Sequence, residues 1–249
     1  MEERITSRKN PLLQQVRKLL TSRKEREARG LYAADGIKLL AEAVQHDLGL
    51  HTVILSEEVN IDLPGHVRLV RVPRDVMESI SPMESSQGAL FLCRIPEKAA
   101  FVPKPGMLLL DGIQDPGNLG TILRTADALD VPVALLEGCA DVYNPKVVRA
   151  SMGAVFRVPV VKTTWTEAFS ACEKLQIPVG ATALTEKAMD LRCAQLKEMA
   201  VVIGSEGQGV RQEILKQARE TLVIPMNPHC ESLNAAVAAT IVMWQMTDR

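Results

Sequence analysis

The sequence predicts an α/β protein in two parts: a smaller α/β domain over residues 1–95, a hinge at 96–106, and a larger parallel-sheet domain over 107–249. Three observations carry this reading. Short, continuously apolar runs alternate with segments of helical period, the pattern of strands covered by helices on both faces. Three prolines fall within the eleven residues from Pro96 to Gly106, the best linker in the chain. In the second part, three unusual loop segments each follow a buried strand, where open α/β sheets place their ligand crevice.

In chain order, Asn10-Pro11 combines a capping side chain with proline at the first helical position. Leu12, Leu13, Val16, Leu19 and Leu20 then form one apolar stripe, and Gly30 stands where that helix should stop. A strand at 31–34, a helix at 37–45, strands at 51–55 and 67–72, a helix at 75–80 and a strand at 89–95 complete the first part. In the second, strands are expected at 107–110, 133–136, 179–183, 199–203 and 221–224. Helices at 118–129, 145–152, 165–175, 210–218 and 232–246 separate or follow them. Ser232 is the expected N-cap of the last helix, with Leu233 and Asn234 in its first turn. Ala235, Ala236, Ala238 and Ala239 leave that helix an almost bare surface for close packing.

Composition narrows the class. With 249 residues, 47% apolar and 24% charged, the chain can bury a sizeable core; it is neither disordered, nor a coiled coil, nor a polycation. The run from Ala235 to Trp244, interrupted at Thr240, is about half the ~20 residues a spanning helix needs. The charged start Met1-Glu-Glu-Arg is unlike a secretory signal or transit peptide, so a cytoplasmic protein is expected. Five scattered cysteines without a CxxC pair suit free thiols. His229-Cys230 is the one adjacent pair of ligand types, too few for a site, and no metal is expected. Formal charge is −1 overall, yet residues 1–30 carry nine basic and four acidic side chains, net +5 against −6 for the rest. That segment suits a polyanion, with Arg8, Lys9, Arg17, Lys18, Arg23 and Lys24 as the candidate polyanion-binding residues. A solvated helix face would look the same.

Dinucleotide, P-loop, nucleophile-elbow and zinc-protease fingerprints are all missing. What remains are the three loops. From Leu110 to Ala126, a turn of ~100° per residue puts Gly117, Gly120, Thr121, Arg124 and Ala128 on one face, small residues around a single arginine. Val201 to Gly209 carries three glycines in six residues in a GxxGxG spacing, which lets main-chain groups line a pocket. Its one charge, Glu206, disfavours a bare phosphate and suits a cationic or hydroxyl-bearing ligand. The third segment, Ile224 to Thr240, leads into the alanine-rich helix.

Taken in order, these segments resemble the three motifs of the SpoU/TrmH family of RNA ribose 2′-O-methyltransferases, in the SPOUT class. Asp115-Pro-Gly-Asn-Leu-Gly-Thr-Ile-Leu-Arg124-Thr-Ala is similar to the first, Ile203-Gly-Ser-Glu-Gly-Gln-Gly209 to the second, and Ile224-Pro-Met followed by Ser232-Leu-Asn-Ala-Ala-Val-Ala-Ala239 to the third. Arg149-Ala-Ser-Met-Gly-Ala154 and Phe156-Arg-Val-Pro159 resemble a further family stretch. Residues 4–95 resemble, more loosely, the substrate-binding extension of some members. Asp35 stands there where Glu is usual, and Ser85-Ser-Gln-Gly88 matches a Pro-Gln-Gly pattern only in part.

The resemblance implies a trefoil-knotted parallel sheet, S-adenosylmethionine as cofactor, and a homodimer with its active site near the subunit interface. It implies cofactor contacts at Gly204, Ile224, Met226, Leu233 and Asn234. By the same resemblance Arg124, Asn118, Glu206, Ser232 and Asn234 are the catalytic set, with Arg124 serving the attacking ribose hydroxyl. A guanidinium deprotonates with difficulty, so Arg124 is expected to meet the 2′-hydroxyl and a neighbouring phosphate together, stabilising the developing alkoxide. The implied substrate is a 23S-type ribosomal RNA nucleotide, favoured over tRNA because a separate recognition domain precedes the catalytic one. A tRNA 2′-O-methyltransferase and an RNA-binding or ribosome-assembly factor with little turnover are the other readings of the same residues.

Overall fold

The computed structural model describes residues 2–46, 49–227 and 229–247. Its chain forms two compact units, Met1–Glu97 with Asp141–Arg157, and Lys98–Ala140 with Val158–Arg249.

The first unit opens with β1 (Glu2–Arg4), α1 (Pro11–Thr21) and α2 (Arg23–Arg29), followed by β2 (Leu31–Asp35) and α3 (Ile37–Gln45). β3 (Leu50–Ser56), β4 (Arg68–Val72), α4 (Arg74–Ile80) and β5 (Ala89–Arg94) complete its first stretch. The sheet order is β1-β4-β3-β5-β2, in which β5 runs antiparallel to both β3 and β2. Leu13, Val16 and Leu19 of α1 are fully buried against Ile54, Val70 and Leu90, a contribution of about 1.5–3 kcal/mol per side chain.

One long helix was expected up to Gly30; instead the chain breaks at Ser22. Its backbone is extended, with φ −119 and ψ 115, and it closes α1 while its hydroxyl accepts from Glu25 N at 3.3 Å to start α2. A serine hydroxyl that can satisfy an orphan N–H competes with helix continuation. Gly30 ends α2 in the left-handed region, φ 61.

In the second unit β6 (Met107–Asp111), α5 (Pro116–Leu129) and β7 (Val133–Leu135) come first. Residues 141–157, with α6 (Pro145–Ala150), group with the first unit rather than with the strands that flank them in sequence. There Arg26 pairs with Asp141 at 2.8 Å, and the rings of Tyr32 and Tyr143 lie 4.7 Å apart. The second unit continues with β8 (Val161–Lys162), α7 (Trp165–Lys174), β9 (Val179–Thr182) and β10 (Met189–Asp190). It ends with β11 (Ala200–Gly204), α8 (Gln212–Gln217), β12 (Glu220–Val223) and α9 (Ala235–Met246).

All seven strands of this second sheet are parallel, in the order β10-β12-β9-β11-β6-β7-β8. Leu109, Val202, Ala200 and Ala181 fill it from within, and Trp165, Ala168 and Cys172 of α7 cover that core. α9 starts three residues later than expected. Asn234, not Ser232, is its N-cap: Asn234 Oδ1 accepts from Ala236 N at 2.9 Å and from Val237 N at 3.3 Å. No helix among the described residues is long and apolar enough to cross a membrane.

Candidate active site

Three strand ends of the second unit converge. β6 leads into α5, whose N-cap Asp115 accepts from Asn118 N at 2.8 Å and so sets Asn118 in the first helical turn. β11 leads into the glycine loop that bears Glu206, and β12 into the segment that ends at Asn234. Orphan N–H groups at the start of α9 take Asn234 Oδ1 as their acceptor, which leaves Asn234 Nδ2 to donate to Asn118 Oδ1 at 2.9 Å. Asn118 therefore presents its own amide N–H to Glu206 Oε1. Helix N-terminus, two amides and one carboxylate form a single chain with every donor pointing toward Glu206. The positive end of a helix favours a negative charge at the far end of such a relay.

The glycine loop is folded tightly on itself. Gly209 N donates to Ser205 O at 2.9 Å, and Gln208 N to Ser205 Oγ at 3.3 Å. A Cβ on Gly204 would overlap the carbonyl of Gly209 and the nitrogen of Val210, while Gly209 itself needs φ +65. Glycine at these two positions is a requirement of the turn.

Beside this loop lies a cavity of about 500 Å³, within the range of small-molecule sites. Gly204, Ile224, Met226 and Leu233, four of the expected cofactor contacts, line it, together with Ser232 and Glu206. Asn234 stands outside the lining. Glu206 and Glu231 are its ionisable groups among the described residues, both carboxylates. Aliphatic walls, exposed main chain and acidic side chains fit a nucleoside carrying a sulfonium and an amino group; they would repel a phosphate-bearing cofactor.

Arg124 lies almost two turns along α5 from Asn118, exposed, and makes no ion pair among the described residues. Ser232 is also exposed, and its carbonyl accepts from Cys230 Sγ at 3.3 Å. No group of three His, Cys, Asp or Glu side chains among the described residues is placed to hold a metal ion.

Two features escaped sequence reasoning. Thr182 to Thr185, after β9, form a fourth strand end on the cavity; nothing in that stretch departs from an ordinary strand exit. Asp111 and Arg211 form an ion pair at 2.7 Å beside the glycine loop. The carboxylate directly after a buried apolar strand was its one visible signal, since a buried charge calls for a partner.

In the first unit the basic candidates divide. Arg8 pairs with Asp75 and Arg23 with Glu27, both at the surface. Arg17 donates to Arg8 O and Ser79 Oγ, neutral groups that leave its charge uncompensated. Lys9, Lys18 and Lys24 are exposed without an ion pair among the described residues.

Comparison with known proteins agrees with this geometry. The SpoU rRNA Methylase family matches residues 105–244, and the MRM3-like substrate binding domain matches residues 10–90. The chain is 31% identical over 247 residues to a 23S rRNA (guanosine(2553)-2′-O)-methyltransferase, RlmP, of Bacillus subtilis (strain 168), covering 98% of this chain and 99% of that one. It is 28% identical to the mitochondrial rRNA methyltransferase 3 of Mus musculus, over 94% of this chain and 71% of that one. An AdoMet-bound rRNA methyltransferase from Sinorhizobium meliloti superposes with a TM-score of 0.85 at 26% identity, over 98% of this chain and 97% of that one. With the second and third motifs lining one cavity, Asn118 of the first bonded to Glu206 in that lining, and the family match over residues 105–244, this chain belongs to the SpoU rRNA methylase family.

Proposed function

We propose that this protein is an S-adenosylmethionine-dependent RNA 2′-O-methyltransferase acting on a 23S-type ribosomal RNA nucleotide. The observation that carries the proposal is the relay from the α9 N-terminus through Asn234 and Asn118 to Glu206, which lines an acidic, aliphatic cavity. S-adenosylmethionine supplies an electrophilic methyl group on a positively charged sulfur. Gly204, Ile224, Met226 and Leu233 hold it through main-chain and aliphatic surface, and the carboxylates of Glu206 and Glu231 match its charge. Asn118 and Asn234 orient Glu206, and Ser232 stands at the cavity rim toward the ribose. Arg124, exposed and uncommitted, meets the 2′-hydroxyl and an adjacent phosphate, favouring the alkoxide as the proton leaves.

The first unit recognises the RNA. Lys9, Lys18, Lys24 and Arg17 supply uncompensated charge for phosphates, with Arg8 and Arg23 exchanging their surface carboxylates for RNA. Val237, Ile241 and Trp244 leave one apolar stripe of α9 exposed, which supports a homodimer formed across that helix. The trefoil knot belongs to the same proposal; its support is that the segments after β11 and β12 close on one cavity. So does a cytoplasmic location, where ribosomal RNA is met.

The test is methyl transfer from labelled S-adenosylmethionine to ribosomal RNA and to tRNA, each from cells lacking this protein. One alkali-resistant ribose in ribosomal RNA is the expected product. Label in tRNA alone would overturn the substrate, and cofactor binding without transfer to either would favour an assembly factor. Arg124→Ala should lower turnover about 100-fold with the melting temperature unchanged.

A further inference from the structure

We propose that Asp111 and Arg211 are positioning residues for methyl transfer, a clasp that holds the glycine loop in the one conformation that delivers Glu206 to Asn118. The inference rests on the methyltransferase reading above.

Both ends of the loop are tied to one residue. At its start, Gly204 lies opposite Asp111 in the parallel ladder of β11 and β6. At its end, the Asp111 carboxylate accepts from Arg211 N at 2.9 Å and from Arg211 Nε at 2.7 Å. Between these points the chain turns back through the Ser205–Gly209 bridge, and Val210 is buried in the core. Asp111 is only 2% exposed, so its charge must be compensated by the protein, and a charge-assisted pair of donors from one residue does this with fixed geometry. The remaining guanidinium nitrogens of Arg211 reach Glu137 at 2.8 Å and Glu213 at 2.9 Å. Glu137 in turn accepts from Trp165 N at the first turn of α7. The loop is thus braced against β6, α7 and α8 at once. Glu206 sits within the clasped segment, and neither Asp111 nor Arg211 lines the cavity. Their effect on the reaction passes through the loop alone.

The experiment compares the full-length protein with Asp111→Asn/Arg211→Gln, which removes both charges and leaves none buried without a partner. Hydrogen–deuterium exchange is read at the amides of 205–209 without cofactor, alongside kcat and the KM for S-adenosylmethionine. Faster exchange confined to the loop is expected, with kcat down about 100-fold, the size of effect that a 1 Å misplacement produces. Loop amides protected as in the unsubstituted protein, or kcat within about twofold of it, would overturn the proposal. Should the double variant unfold, Arg211→Lys carries the test. It keeps the charge and the backbone N–H bond but loses the fork, so the loop amides should exchange faster and kcat should be lower than in the unsubstituted protein. Values for Arg211→Lys matching the unsubstituted protein would overturn the clasp. An unsubstituted protein without methyl transfer would defeat the functional reading instead, while exchange still reports on the clasp.

Discussion

Asn234 donates a hydrogen bond of 2.9 Å to Asn118 across 116 residues of chain, and the same side chain caps α9. One amide therefore serves stability with its oxygen and the site with its nitrogen, and substitution can separate the two. Asn234→Asp keeps an acceptor for Ala236 N and Val237 N and loses the donor to Asn118. Its melting temperature should stay near that of the unsubstituted protein while methyl transfer falls about 100-fold. Asn234→Ala should lose both, with about 0.5–2 kcal/mol of stability gone with the cap. Calorimetry and a methyl-transfer assay on the two variants check this; full turnover by Asn234→Asp would remove Asn234 from the site.

Glu137 gives a pH signature. Burial alone would raise its pKa, but hydrogen bonds from its own backbone, from Arg211 and from Trp165 N–H, with the Arg211 charge, outweigh burial and leave it below the ordinary 4.5. A depressed folded-state pKa means that the charged form stabilises the fold fully above the unfolded value and loses that effect as pH falls through the folded one. The melting-temperature gap between the unsubstituted protein and Glu137→Gln should be constant above 4.5 and shrink below it. A gap that persists unchanged on acidification would show that the charge of Glu137 does not matter.

Much of this arrangement was legible because its signals are local. Asn10-Pro11 announced α1, Gly30 the end of the helical stretch that Ser22 divides into α1 and α2, and the apolar runs around Leu109 and Val202 the central strands. The motifs around Asn118, Glu206 and Asn234 pointed to strand ends that the fold brings together. What escaped depends on partners distant in sequence. Ser232 and Asn234 are both capping types two residues apart, and the bond from Asn234 to Asn118 accompanies the choice. Ser22 reads equally well as a mid-helix residue or a cap. The antiparallel direction of β5 leaves no mark on an apolar run, since a strand buried on both faces looks alike in either direction. Asp111 and Arg211, 100 residues apart, carry no shared motif at all.

The exposed face of α9 bears on assembly. Val237 is 48% exposed and Trp244 67%, and with Ile241 they follow the i, i+4, i+7 spacing of one helical face. A contiguous apolar stripe of this kind marks an interaction surface. Light scattering should give twice the chain mass for the unsubstituted protein and the single-chain mass for Trp244→Glu, with circular dichroism unchanged. A monomeric unsubstituted protein would end the dimer proposal.

The basic N-terminal segment can be divided by experiment into charge that recognises RNA and charge that holds the fold. Arg26 pairs with Asp141 at 2.8 Å, with only 4% and 9% of the two side chains exposed, and it also donates to Leu19 O at 2.6 Å. Removing one partner of a buried pair leaves a charge without compensation, at a cost of about 3–5 kcal/mol. Arg26→Met should therefore lower the unfolding midpoint sharply. Lys9, Lys18 and Lys24, exposed and free of ion pairs among the described residues, should behave in the opposite way. Changing all three to Gln should leave stability within about 0.5 kcal/mol and reduce the slope of log affinity for ribosomal RNA against log salt by about 2, as three lost phosphate contacts require. Filter binding across a salt series measures that slope. An unchanged slope would move the RNA-recognition surface elsewhere, because charge that meets no phosphate releases no counterion.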